Sequence, residues 1–308
     1  MKSSVQRLGL YGDLPARLLH WGVRRCPWFL EPVLIAGYSA LIWLFCGKVR
    51  RRIVRNLKVL DPHSPALIHS FRSIAVFWNF AWVMADGARE NRGGREIRWE
   101  VEGLDHFREA AKHDGGLVLM TAHMGSYDLA ARFFAGRFER QVNPVRAPER
   151  NAAAQEFAEQ ARAGEEQDGV STKVNRSDGM LGVELVKALS DGQAVAIQGD
   201  RVMFDVSPIK VPFGKEWQWQ LPKGPFALAA ASRAPIYPVF IIRSGYQQFR
   251  VEVGARIEVK LARGPERDLA IRSAAEEWGR VLEDVVRRCG TQWFVFEDRF
   301  ERKGDDSV

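Results

Sequence analysis

The chain has 308 residues, 46% of them apolar, which allows a sizeable buried core and argues against a disordered chain. Its three cysteines, Cys26, Cys46 and Cys289, are far apart and form no CxxC pair, which argues against a disulfide framework or a zinc cage; reduced, buried thiols are expected. The net charge of +7 is unevenly placed: residues 1–60 hold eleven basic and two acidic residues, a balance of +9, which leaves −2 for the other 248.

What lies between those charges decides what the basic arm meets. Residues 33–46, VLIAGYSALIWLFC, form an apolar run preceded by Trp28 and Phe29 and followed by KVRRR. These fourteen residues fall short of the ~20 that span a bilayer, and Glu31 and Pro32 stop the run from lengthening. An interfacial or re-entrant helix on an anionic membrane surface fits the pattern, with a buried core helix as the alternative. A cleaved signal peptide is disfavoured, because the run starts late and no small-residue cleavage pattern follows. Nucleic acid is not an expected partner, since its sites mix basic with polar and stacking groups.

RIVRNLKVL is basic and amphipathic and ends at Asp61-Pro62. Residues 64–88 read as a long helix with Pro65 in its first turn. Its aromatics Phe77, Trp78, Phe80 and Trp82 either line an acyl tunnel or form core or membrane-facing surface. ENRGGRE, residues 90–96, is a polar joint that sets the expected domain boundary. Residues 1–92 form a helical membrane-associating region, and residues 93–308 a catalytic domain.

Beyond the joint, strands alternate with helices. IRWEV alternates with period two, LDHFREAAKH is a helix, and LVLMTA is a continuous apolar run, as a buried central strand should be. HMGSYDLAARFF turns into a helix, VNPV is a short strand, and PERNAAAQEFAEQARA is a helix. Ser177 or Asp178 caps the helix GMLGVELVKALS, and QAVAIQG is another buried strand. Trp217 and Trp219 fall in a polar, loop-like stretch, where they either dip into the interface or pack. KGPFALAAASRA is a helix, PIYPVFII a strand, FRVEVGARIEV one or two strands, and residues 266–289 a long helix before QWFVFEDRF. The order implies an α/β fold, a mixed β-sheet flanked by helices and preceded by the N-terminal helical region.

GxGxxG, GxxxxGK, HExxH and GxSxG are all absent, which removes the main support for dinucleotide, P-loop, zincin and α/β-hydrolase chemistry. No metal or other cofactor is expected. HMGSYD, residues 123–128, stands out. His123 follows a buried strand, and ligands of α/β sheets bind at strand carboxyl ends. An imidazole there takes a proton from an acceptor hydroxyl or amine, and a carboxylate at Asp128 holds its other ring nitrogen. A structural histidine is the plain alternative.

HMGSYD resembles the H-x4-D/E motif of the lysophospholipid acyltransferase superfamily, and the chain is similar to its bacterial lipid A biosynthesis (lauroyl/myristoyl) branch. The similarity runs from about residue 50 to 302, through VRRRIVRNLKVL, TAHMGSYDLA, LVKALSDGQAVAIQGDR, PFGKEWQWQLPKGPFALAAASRAPIYPVFIIR and QWFVFEDRF in order. The resemblance implies an acyltransferase on the cytoplasmic face of the bacterial inner membrane. An acyl-carrier-protein thioester is the usual donor, coenzyme A the other candidate, and the acceptor is lipid-like. It makes His123 the base and Asp128 its partner. It places Arg146 where a basic residue binds an anionic group, Asp200 and Arg201 in an acidic motif, and Lys223 and Gly224 at a helix start able to receive a phosphate or carbonyl oxygen. The branch usually has Glu where Asp128 stands, Asp-Gln where QGDR stands, and His-Arg-Arg-Phe where Glu297-Asp298-Arg299-Phe300 stand. These departures leave a lipid A precursor, a lysophospholipid, an amino-acid lipid and a specialised metabolite open as acceptors. A thioesterase-like hydrolase and a catalytically idle lipid-binding protein are the competing functions.

Overall fold

The computed structural model describes residues 22, 25–27, 29–90, 97–148, 155, 168–175, 179–202 and 207–304 (for 88–90 and 128, the backbone alone). The chain divides into two compact units. The first comprises Met1–Arg98, Arg243–Phe249 and Val286–Arg299; the second comprises Trp99–Ile242, Arg250–Val285 and Phe300–Val308.

In the first unit, α1 (Glu31–Phe45) and α2 (Gly47–Leu60) meet at 95° around Cys46, and α3 (Ala66–Glu90) follows. Among the described residues no single helix is long and apolar enough to cross a membrane. Helix α1 buries only the stripe Glu31, Ile35 and Ser39, spaced four apart. Ile35 packs on Ala81, Trp82 and Ala85 of α3, where two alanines let the helices approach closely. At the same end Tyr246 donates to Glu31 (3.1 Å), and Arg243 pairs with the buried Asp86 (3.0 Å) while lying 4.2 Å over the Trp82 ring. Helix α2 buries Ile53, Asn56, Leu57 and Leu60, the i, i+3, i+4, i+7 face of an amphipathic helix. The Asn56 side chain donates to the Glu297 carbonyl (2.8 Å) and accepts from the Arg299 amide (3.1 Å). Beside it, Arg55 grips both oxygens of Asp298, at 2.6 and 2.7 Å. The α3 aromatics are core of this unit: Phe77 stacks on Phe296, Phe80 meets Phe294 and Phe296 edge-on, and Trp82 meets Trp78 and Tyr246.

The α/β expectation holds. The strands and helices run β1 (Arg98–Glu102), α4 (Leu104–Lys112), β2 (Leu117–Thr121), α5 (Tyr127–Phe138), β3 (Val142–Arg146), β4 (Lys173–Val174), α6 (Leu181–Ser190) and β5 (Ala194–Gln198). Then come β6 (Pro208–Phe213), β7 (Trp217–Pro222), α7 (Gly224–Ser232), β8 (Ile236–Gly245), β9 (Gln248–Val253), α8 (Pro265–Cys289) and β10 (Phe300–Arg302). Seven strands form one sheet in the order β1-β9-β8-β2-β5-β3-β4. Strand β2 is at its centre, entirely buried, and pairs in parallel with β5 and β8. β3 pairs in parallel with β5 and β4, whereas the two-residue link between β8 and β9 permits only an antiparallel hairpin, so the sheet is mixed.

The second sheet, β10-β7-β6, corrects the sequence reading at Trp217–Trp219. That stretch is strand β7, paired antiparallel with β6 and β10. Its Trp-Gln-Trp-Gln-Leu alternation sends Trp219 inward, fully buried between Phe213 (4.8 Å) and Phe300 (5.6 Å), so this tryptophan packs and does not reach an interface. Trp217 is half-buried, with Arg302 5.5 Å over its ring. The cysteines form no disulfide among the described residues and are half-buried, more open than expected. Most of the helix expected over PERNAAAQEFAEQARA, and the caps Ser177 and Asp178, lie outside the described residues; the residue before α6 is Met180, which makes no side-chain cap.

Candidate active site

Strand β2 ends at Thr121, and the next five residues form a tight turn rather than a loop. The Met124 amide bonds the Ala122 carbonyl (2.7 Å), and the Ser126 amide bonds the Ile241 carbonyl of β8 (3.0 Å). Gly125 lies between them at φ +54°, and a Cβ there would stand 1.8 Å from the Ile241 carbonyl oxygen. Only glycine satisfies both the left-handed backbone and that approach. This turn sets His123 at the sheet's carboxyl edge, 9% exposed. Gly125→Ala should therefore cost both stability and function: thermal unfolding would show a loss of several degrees, and the acyl transfer that the resemblance implies should drop at least tenfold in the surviving folded protein as His123 shifts. A fully active, equally stable alanine variant would show that the turn does not position the histidine.

The residue opposite His123 comes from the next strand. Strand β5 ends at Gln198; the Gly199 amide bonds the Thr121 carbonyl (2.8 Å), and the Gly199 carbonyl accepts from the indole N–H of Trp278 (2.9 Å). Trp278 is itself fixed by stacking on Phe240 at 5.7 Å. A side chain at 199 would collide with the Met120 sulfur at 2.6 Å. Asp200 is thereby held fully buried, with Oδ1 2.7 Å from His123 Nδ1. A carboxylate accepting Nδ1–H fixes the tautomer, leaves Nε2 as the basic atom and stabilises the imidazolium once a proton arrives.

His123 lines a cavity of about 340 Å³. Its walls are the ends of β3 and β5 and the helices α6 and α7, which supply Val145, Ile197, Leu181, Leu185, Pro225 and Leu228. That volume is at the small end for ligand sites, and the lining is mostly apolar with a few polar groups. Arg146 and Arg201 are those cationic groups, and among the described residues the buried Nε of Arg201 has no hydrogen-bond partner. Gly224, first residue of α7, also lines the cavity. Lys223 precedes it, and its ammonium is held 2.7 Å from Asp268, whose carboxyl is kept below the usual range by that hydrogen bond and charge. The backbone of Asp128 lies in the first turn of α5, two residues after the helix cap Ser126; its side chain is outside the described residues.

Against this geometry, the sequence model of the bacterial lipid A biosynthesis acyltransferases matches residues 12–302. The chain belongs to that family. No curated protein matches the chain in sequence. As a member of the lipid A acyltransferase family, the protein is an enzyme that transfers acyl groups to a lipid-like acceptor. In this acyltransferase the structure brings together His123, Asp200, Arg146, Arg201 and Gly224, and engages the Lys223 side chain elsewhere. Phe77, Trp78, Phe80 and Trp82 are not among the cavity's lining residues. Sequence reasoning missed Trp278, Gly199 and the leucines of α6 and α7. A lone tryptophan in an amphipathic helix gives no signal of its own, whereas the glycine before Asp200 did.

Proposed function

We propose that this acyltransferase moves a fatty acyl group from an acyl-carrier-protein or coenzyme A thioester to a hydroxyl or amine of a membrane lipid, with His123 as general base. The buried 2.7 Å contact of His123 with Asp200, in the wall of an apolar cavity, carries the reading. The acceptor oxygen or nitrogen attacks the thioester carbonyl carbon while Nε2 takes its proton. The tetrahedral intermediate collapses, the C–S bond breaks, and the imidazolium returns the proton to the leaving thiolate. Asp200 orients the ring. Asp128, at the positive end of α5, adds a second negative charge for the imidazolium. The apolar walls take the acyl chain, Arg146 and Arg201 bind a phosphate or carboxylate of donor or acceptor, and the Gly224 amide receives the thioester oxygen.

Residues 1–92 act as the membrane-associating region and residues 93–308 as the catalytic domain, at the cytoplasmic face of the inner membrane. Support comes from α1, whose exposed side is apolar throughout: Val33, Leu34, Leu41, Leu44 and Phe45. A helix apolar on its exposed face belongs in lipid, and the 95° bend into basic α2 suits a helix that enters and turns back. A lipid A precursor is the acceptor the family points to.

The test is an incubation of carrier-protein thioester with vesicles containing candidate acceptors, read by mass spectrometry. Acylated lipid should appear in step with released thiol, and only when an acceptor is present. Thiol release with free fatty acid alone would make the protein a hydrolase; no thiol release at all would leave an idle lipid binder.

A further inference from the structure

We propose that the start of α3 is a second bilayer contact, so that the enzyme meets the membrane through a two-helix tip and not through α1 alone. This inference rests on the membrane reading above and extends it to residues 67–71. Helices α1 and α3 pack antiparallel: Ile35 lies against Ala81 and Ala85, and the Trp43 indole donates to the Ser73 hydroxyl at 2.9 Å. The carboxyl end of α1 is therefore beside the amino end of α3. There Phe45 is 79% exposed, Leu67 74% and Phe71 71%, with Leu44 and Ile68 also exposed. Leu67, Ile68 and Phe71 share one face of α3, while His69 and Ser73 are buried. These side chains are presented on a fixed turn, since the Asp61 carboxylate accepts from both Ser64 and Arg72 at 2.7 Å.

A soluble protein seldom leaves large apolar side chains clustered in water. The neighbouring charges identify what covers them. Helix α2 leaves the tip carrying exposed Lys48 and Arg51, and the Arg50 guanidinium lies 4.4 Å over the Trp43 ring. A tryptophan and arginines flanking apolar side chains match the headgroup level of an anionic bilayer. A second copy of the chain would bring like charges together at the same place. One helix lying in an interface is free to roll about its axis; a second insertion point off that axis fixes the roll.

The experiment uses the full chain with p-benzoylphenylalanine replacing Leu41, Phe71 or, as a control, the exposed Leu269, photolysed on vesicles of phosphatidylglycerol and phosphatidylethanolamine. Lipid adducts are expected at 41 and 71 and not at 269. Adducts at 41 without adducts at 71 overturn this inference and leave the membrane reading standing; adducts at neither position overturn both. Crosslinks from 71 to a second protein chain would also overturn it. In parallel, the double variant Leu67→Ser, Phe71→Ser should lower vesicle partitioning about tenfold, equally at low and high salt because the lost contact is apolar. Its circular dichroism and its turnover of a detergent-dispersed acceptor should be unchanged. Wild-type partitioning by this variant would overturn the inference.

Discussion

The His123→Ala enzyme should lose acyl transfer by about 10²–10⁴-fold, the usual cost of removing a general base. The loss has one complication. Asp200 is fully buried, and His123 is a hydrogen-bond partner of it at 2.7 Å, so alanine removes that contact from a carboxylate in the interior. His123→Gln separates the two effects, because a glutamine amide can still donate to Asp200 but cannot take a proton. Both variants should be equally inactive, with the glutamine protein unfolding closer to wild type. Circular dichroism and thermal melts give the folding control; turnover of a carrier-protein thioester gives the activity. Near wild-type turnover by either well-folded variant would end the proposed mechanism.

The second large effect is expected at Asp200. Asparagine has nearly the same shape and can still accept Nδ1–H, yet it is neutral and its amide can equally present N–H groups to the ring. The wrong tautomer and an unstabilised imidazolium together should cost about 10²–10⁴-fold in kcat. KM should move little, because Asp200 lies behind the histidine and is absent from the cavity lining. Asp200→Glu should recover part of the rate, which a purely structural role would not predict. Asp128→Asn is the informative comparison. If Asp128→Asn is the more damaged variant and Asp200→Asn turns over normally, the carboxylate of α5 is the functional partner.

Much of the site could be read from the sequence, because its parts sit where periodicity changes. LVLMTA followed at once by His123 marked a buried strand ending in a polar group, and QAVAIQG before Asp200 had the same form. What could not be read is that β2 and β5 are neighbours, which sets the two strand ends side by side. Asp128 is five positions from His123 along the chain and Asp200 seventy-seven, so spacing favoured the local partner. Strands β6 and β7 were missed for a different reason. Gln218 and Gln220 made the stretch look polar, although the alternating Trp217, Trp219 and Leu221 carried the period-two signal. Nor did composition reveal that residues 243–249 and 286–299 belong to the same compact unit as the N-terminal helices, since such returns depend on long-range packing of side chains such as Arg243 on Asp86.

The fork between Arg55 and Asp298 changes the effective valence of the basic N-terminal helices. Asp298 is 2.6 Å from Arg55 and 3.9 Å from Arg52, and the hydrogen bond from Arg55, aided by both charges, holds its carboxyl below the ordinary range. The carboxylate thus stays ionised to lower pH than a free aspartate, and its charge offsets one of the arginines. Counting side chains along residues 1–60 gives +9, but the charge that α2 presents to its surroundings is smaller, because a neutralising carboxylate is contributed from the far end of the chain.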